Sequence, residues 1–295
     1  MQISNCKFQI GVVVASVLVF VGCQKPPPPP VTSVVVATAA EIPSDPDDAA
    51  WDAAPEYRAK LIPQDLVEPR QMTATTSQVR VRAIHAGSEI AFRLAWNDET
   101  QNDLADQDRF CDACAVQLPQ KIGVSLPAPQ MGEAAKGVEI AYWNAGWQAI
   151  VDGRGDSIKD IYPGATVDHY PFDAQSLEKD PAAKRAMALR YAPARALGNT
   201  MAGPRDNPVQ DLVAQGPGTL APASATASKG HGQRVAHGPD TAAGWAVVIT
   251  RRLPEGLLAN PNAQIAFAVW DGEKHEVGSR KMRTGWVPVT SQDKP

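Results

Sequence analysis

Two neighbouring runs of alternating residues constrain the fold of this chain more than any other feature. Gln78-Val-Arg-Val-Arg-Ala-Ile-His85 and Glu89-Ile-Ala-Phe-Arg-Leu-Ala-Trp96 alternate apolar with polar or small residues, and the turn-forming Ala86-Gly87-Ser88 separates them. A period of two is the period of a strand with one face buried, so the pair reads as a hairpin. Further strand candidates are Ala113 to Leu118, Ile122 to Leu126, Val138 to Trp143, Trp147 to Val151, Trp245 to Arg252 and Ala263 to Trp270. Many short strands with few long helical periods predict an all-β fold, an antiparallel β-sandwich.

The sandwich domain is expected over residues 46–290, interrupted by an insertion over about 152–244. That stretch is rich in Ala, Pro, Gly and Asp, and it carries one helix candidate, Leu177 to Leu189, with Pro181 in its first turn. An excursion of this length is either functional or poorly ordered. No internal repeat is visible.

The N-terminus reads as an export signal over residues 1–22. Lys7 precedes an apolar run from Ile10 to Val21, which is too short to span a bilayer and ends in Gly22-Cys23. A small residue before a cysteine resembles a lipoprotein-processing box, so Cys23 is the expected lipidation site. The expected product is extracytoplasmic and lipid-anchored to a membrane. Pro26 to Pro30 begin a proline-rich tether over residues 23–45 that favours polyproline II at about 3 Å per residue.

With Cys6 in the signal and Cys23 lipidated, two of the four cysteines remain, Cys111 and Cys114. In an oxidising compartment a local disulfide between them is the default expectation. Covalent c-type haem attachment requires a histidine after the second cysteine, and Ala115 stands there. A zinc site would need two more ligands. A net charge of -4 supplies no basic surface for phosphates, which excludes nucleic acid as an expected partner. No Gly-x-Ser-x-Gly, His-Glu-x-x-His or phosphate-binding glycine loop occurs, so no catalytic site of the chain's own is expected.

Several segments, taken in order, resemble the haem-binding gamma subunits of ethylbenzene, dimethylsulfide, selenate and chlorate molybdoenzymes. They are Asp48-Ala-Ala-Trp51, Leu94-Ala-Trp96-Asn-Asp98, Asp108-Arg-Phe110, Asp112 to Pro119, Gln130-Met-Gly132 and Tyr142-Trp-Asn-Ala145. Ala214 to Leu220, Trp245-Ala-Val-Val248 with Arg251, and Phe267-Ala-Val-Trp-Asp-Gly272 with Lys281 and Trp286 complete the series. The resemblance implies a sandwich holding one non-covalent haem b, with Met131 and Lys281 as iron ligands. The implied partners are a molybdenum catalytic subunit, an iron–sulfur subunit and a soluble c-type cytochrome or quinone-linked carrier.

A thioether favours reduced iron, and Met131 sits in a Pro127-Ala-Pro129/Gly132 setting suited to a rigid loop. A lysine binds iron only as the neutral amine, which demands desolvation; Met282 and Lys274 compete with Lys281 for the second position. Arg280 and Arg283 could pair with haem propionates. Trp143 and Trp286 are candidate pocket residues, and Trp96, Trp147, Trp245 and Trp270 are candidates for core or pocket. His85 reads as a half-buried strand residue, whereas the glycine-flanked His231 and His237 leave weak metal binding conceivable. The rival expectation is a haem-free carbohydrate-binding or adhesion sandwich. Met131 and Lys281 in one apolar pocket favour haem; an exposed flat face of Trp143 and Trp147 favours sugar.

Overall fold

The computed structural model describes residues 31–104, 108–123, 125–155, 158–166, 179–183, 186–187, 205–237 and 242–292. The expected signal segment and lipidation site Cys23 therefore lie outside the described residues. In chain order the strands are β1 (Val34–Thr38), β2 (Tyr57–Lys60), β3 (Ile62–Pro63), β4 (Gln78–Ala86), β5 (Glu89–Asn97), β6 (Ala113–Pro119) and β7 (Val138–Asn144). There follow the short helices α1 (Ala145–Val151) and α2 (Ile158–Ile161), then β8 (Val209–Ala214), β9 (Ala221–Pro222), β10 (Lys229–Val235) and β11 (Gly244–Arg252). The last strands are β12 (Gln264–Trp270), β13 (Met282–Arg283) and β14 (Val287–Ser291). Among the described residues no helix is long and apolar enough to cross a membrane.

The fold is an all-β sandwich. One leaf runs β10-β11-β5-β4-β1, with β2 beside β4; the other runs β12-β6-β7-β8-β9, with β13 joining β12 to β3. β14 bonds to β1 on one side and to β12 on the other, so the leaves are continuous. The alternating residues of β4 and β5 pair as the expected antiparallel hairpin, from Ala86 opposite Glu89 to Arg80 opposite Ala95. Their inward members Val79, Val81, Phe92, Leu94 and Trp96 pack against Val116, Leu118, Ile265, Phe267 and Val269 of the other leaf. Phe92 meets Phe267 edge-on, and Trp143 packs between Trp96 and Trp245 with ring centroids 6.3 and 5.1 Å away. Each such side chain contributes about 1.5–3 kcal/mol by leaving water, so this inner layer is the main source of stability.

Four expectations are corrected. First, Val34–Thr38, assigned to the tether, is a strand parallel to both β4 and β14, so the sheet is not purely antiparallel. Its run of Val34-Val-Val36 is the unbroken β-branched pattern of a strand covered on both sides. Second, Trp147 to Val151 belong to helix α1, because Asn144 accepts hydrogen bonds from the Gly146 and Trp147 amides and caps it. Third, the span 152–244 is not one excursion, since β8, β9 and β10 lie in it and extend both leaves. The glycines of β10 read as loop, yet a Cβ on Gly232 would come within 2.3 Å of the Trp143 ring; the strand needs them to let that indole in. Fourth, Ile122 to Leu126 is not a strand among its described residues.

Part of the expected helix at 177–189 lies outside the described residues. Residues 181–183 are helical, and Asp180 accepts from the Ala182 and Ala183 amides. Pro181 thus occupies the first helical position, where its missing amide costs nothing.

Candidate haem site

The residues of the β6, β7 and β12 leaf alternate between two faces. Cys114, Val116, Ala141, Trp143, Phe267 and Val269 belong to the main core, whereas Ala113, Ala115, Ile140, Ala268 and Trp270 form a second apolar cluster with Met131, Tyr142 and Trp286. Between the outward-facing Gln117 and Trp270, the outward residues Ala115, Ala266 and Ala268 of β6 and β12 are small where bulk would fill the space. Over them opens a cavity of about 440 Å³, within the range of cofactor sites. Its lining includes Ala115, Ala266, Ala268, Ile140, Leu212 and Trp270, together with Met131, Lys281 and Arg283.

Met131 sits in the left-handed region with φ 67°, a conformation that costs a residue with a side chain about 1 kcal/mol or more. Hydrogen bonds from four directions hold it there. Gly216 N donates to Met131 O at 2.9 Å, and Gly132 N donates to Ala128 O at 2.9 Å. Gln117 Nε2 donates to Pro129 O at 3.0 Å, and Trp286 Nε1 to Pro127 O at 2.7 Å. Gly132 has φ 84°, and a Cβ there would lie 2.9 Å from Lys136 O, so the turn itself requires the glycine that follows Met131.

Lys281 immediately precedes β13, and its carbonyl accepts from Gln64 N at 3.0 Å. The Gln64 side chain ties the same loop down by donating to Ser279 O at 3.1 Å. The Lys281 Nζ lies 5.0 Å from the centre of the Trp270 ring, and among the described residues no carboxylate pairs with it. Burial, helped by the positive charge of Arg283, lowers its pKa to about 8, toward the neutral amine that can donate a lone pair. Behind it the aromatic contacts continue from Trp270 to Tyr142 at 5.3 Å and from Tyr142 to Trp147 at 5.5 Å. Burial raises the Tyr142 hydroxyl to about 12, so it remains a neutral phenol.

Arg283 lines the cavity, and its buried Nε has no hydrogen-bond partner among the described residues. A buried guanidinium with an unused N–H suits an anionic group such as a carboxylate. The donor set therefore fits a flat apolar macrocycle with acidic side arms: a soft thioether, a depressed lysine, an apolar floor and one spare cation.

A family model for ethylbenzene dehydrogenase matches residues 48–282. The chain belongs to the ethylbenzene dehydrogenase family. Among its relatives is ORF7 of Haloferax mediterranei, described as a candidate heme subunit of its respiratory nitrate reductase. It is 22% identical over 255 residues, 84% of this chain and 68% of that protein. The gamma subunit of dimethylsulfide dehydrogenase from Rhodovulum sulfidophilum is 23% identical over 83% of this chain and 74% of its own length. The gamma subunit of chlorate reductase from Ideonella dechloratans is 32% identical over 114 residues, 37% of this chain and 44% of that subunit.

Within this family member the cavity brings together Met131, Lys281 and Arg283, as expected from the sequence. Trp286 acts one step back, clamping the Met131 loop. Trp143 does not face the cavity: it is fully buried in the main core, with Nε1 donating to Gln148 Oε1 at 3.1 Å. The pocket position falls to its neighbour Tyr142, which the sequence reading missed, along with the alanine floor. Arg280 is not part of the lining. Neither competitor for the Lys281 position reaches the cavity, since Met282 is buried in the main core and Lys274 is exposed.

Cys111 and Cys114 are free thiols rather than a disulfide. Cys114 points into the main core from β6, while the Cys111 Sγ packs beside Gly146 of α1. His85 is the half-buried strand residue expected, bonded through Nε2 to Thr38 Oγ1 at 2.8 Å. His231 lies on β10 near Gln148, His237 is exposed, and no metal-holding group among the described residues contains either. Trp147 lies beneath Arg205, whose guanidinium is 3.8 Å from the ring centre, so Trp143 and Trp147 do not form the flat exposed face that a sugar platform needs.

Proposed function

We propose that this chain is an extracytoplasmic electron-transfer subunit that holds one non-covalent haem b between Met131 and Lys281. The observation that carries the reading is their convergence, together with Arg283, on one apolar cavity in a chain of this family. When bound, the haem supplies a one-electron couple, whose potential rises with thioether ligation and burial. The chain's own residues do the positioning. The hydrogen-bonded loop at 127–132 fixes the thioether, desolvation readies the Lys281 amine, Arg283 pairs with a propionate, and the alanine floor with Ile140 and Leu212 excludes water. The names of the chlorate reductase and dimethylsulfide dehydrogenase relatives support a role beside a molybdenum catalytic subunit. In that role the chain relays electrons between an iron–sulfur subunit and a soluble c-type cytochrome or quinone-linked carrier. It carries no substrate chemistry of its own. The Gly22-Cys23 junction supports export and a lipid anchor at Cys23.

The test is to express the chain with its signal, quantify haem by pyridine haemochrome, and mix the reduced protein with an oxidised soluble c-type cytochrome. One b-type haem per chain and rapid reoxidation are expected. A chain that stays haem-free after reconstitution would overturn the reading.

A further inference from the structure

A second cluster of chemistry lies apart from the haem cavity. Asp98 follows β5, Asp112 precedes β6 and Asp271 follows β12, so three strand ends from both leaves converge. One carboxylate oxygen from each residue lies within 4.8 Å of the others. All three side chains are withdrawn from water, with 6%, 0% and 8% of their residues' surface exposed.

Their hydrogen bonds do not account for them. Asp112 is well served: Oδ1 accepts from Gly272 N at 2.9 Å, and Oδ2 accepts from Asn102 N at 2.8 Å and Trp245 Nε1 at 2.9 Å. Asp271 Oδ1 accepts from Lys274 N at 3.2 Å. Asp98 Oδ1 accepts from the amide and hydroxyl of Thr100 at 3.0 and 3.1 Å. The other oxygen of Asp98, Oδ2, is buried and has no hydrogen-bond partner among the described residues. None of the three carboxylates is in an ion pair there either. Arg234, close by, spends its guanidinium on the backbone carbonyls of Asp98 and Thr100, at 2.9 and 2.7 Å, and on the face of Trp245. A buried carboxylate oxygen without a partner, in a group of three acids that form no ion pair among the described residues, calls for a cation.

We propose that Asp98, Asp112 and Asp271 form a binding site for a hard divalent cation, calcium above all, that ties the ends of β5, β6 and β12 together. Oxygens on opposite sides of an ion coordinated at about 2.4 Å are about 4.8 Å apart, so this spacing fits a single coordination sphere. The all-oxygen donor set excludes a preference for zinc or copper. Calcium accepts irregular geometry and mixed carboxylate ligands, whereas magnesium holds to an octahedron and keeps its waters. Asp271 directly follows Trp270, against whose ring Lys281 lies, so the ion also steadies the strand end that backs the haem cavity. The site stands on its own residues and does not depend on haem being bound.

The experiment is thermal unfolding of the mature chain in chelator and in calcium, for wild type, Asp98→Asn and Asp271→Asn, with terbium emission sensitised by Trp245 as a direct probe of occupancy. At about a hundredfold excess over Kd, calcium is expected to raise the wild-type Tm by about 5–10 °C. Both variants should lose most of that shift, and calcium should displace the terbium signal in wild type. Equal Tm in chelator and calcium, with no terbium signal, would show that the acids share protons instead and would overturn the proposal. A full calcium shift retained in both variants would overturn it too, by placing the ion elsewhere. If one aspartate variant fails to fold, loss or retention of terbium emission in the other decides the matter.

Discussion

An ammonium has no lone pair, so whatever holds Lys281 neutral also sets how well it can bind iron. Burial and Arg283 bring its pKa to about 8, so near neutral pH only a modest cost remains for removing its proton, about 1.4 kcal/mol for each unit between the pH and that value. The sign follows directly: below about 8 the proton competes with iron, and above it the competition ends. Haem affinity of the apoprotein is therefore expected to rise about tenfold per pH unit up to about pH 8 and then level off. Titrating haem into apoprotein across this range checks it, and Lys281→Ala should flatten the rise. That Met131 and Lys281 face one cavity was anticipated through the family resemblance, which picks out Gln130-Met-Gly132 and the lysine after the Trp270-Asp-Gly272 turn. Trp143 was misplaced for a physical reason: in a strand buried on both faces, composition does not reveal parity, and a shift of one residue exchanges the two faces. Tyr142 takes the cavity side and Trp143 the core. The cysteine pair misled in the same way, because Cys114 is committed to the core by its strand while Cys111, before the strand, turns toward α1.

At the level of elements, β6 and β12 show how a sheet can make room for a ligand without losing its core. Large residues point inward, and Ala115, Ala266 and Ala268 point out, so the hollow lies on the face opposite the packed interior. Ala268→Phe should fill that hollow while leaving the inner layer intact. Haem affinity is expected to fall at least about tenfold, the loss that about 1.4 kcal/mol of overpacking produces, with the Tm of the apoprotein changed by only a few degrees. Haem titration beside apoprotein melting separates the two effects. The β4–β5 hairpin was plain from alternation, whereas β6, β7, β11 and β12, buried along most of their length, were legible as short apolar runs between Pro- and Gly-rich segments. β1 and β10 were not. The former is a short β-branched run that shows no alternation in sequence, and the latter carries Gly230 and Gly232, whose role against Val209 and Trp143 appears only when the leaves are stacked.

For the molecule as a whole, the two leaves divide the work. The layer between them, centred on Phe92, Trp96, Trp143, Trp245 and Phe267, supplies stability, and the outer face of one leaf carries the site. The cavity is completed from outside that leaf's main strands, by the loop at 127–132 and by the segment 278–284 that contains β13. From the cavity wall a chain of aromatic rings leads away, from Trp270 through Tyr142 to Trp147. The central claim is that Met131 and Lys281 together hold one haem in this cavity. Its most direct test is the absorption spectrum of the purified protein, oxidised and then reduced, beside Met131→Ala and Lys281→Ala. The account predicts sharp bands of a six-coordinate b-type haem in wild type, and loss of haem or a shift to a five-coordinate spectrum in each variant. Unaltered six-coordinate spectra in both variants, or a colourless wild type after reconstitution, would contradict it.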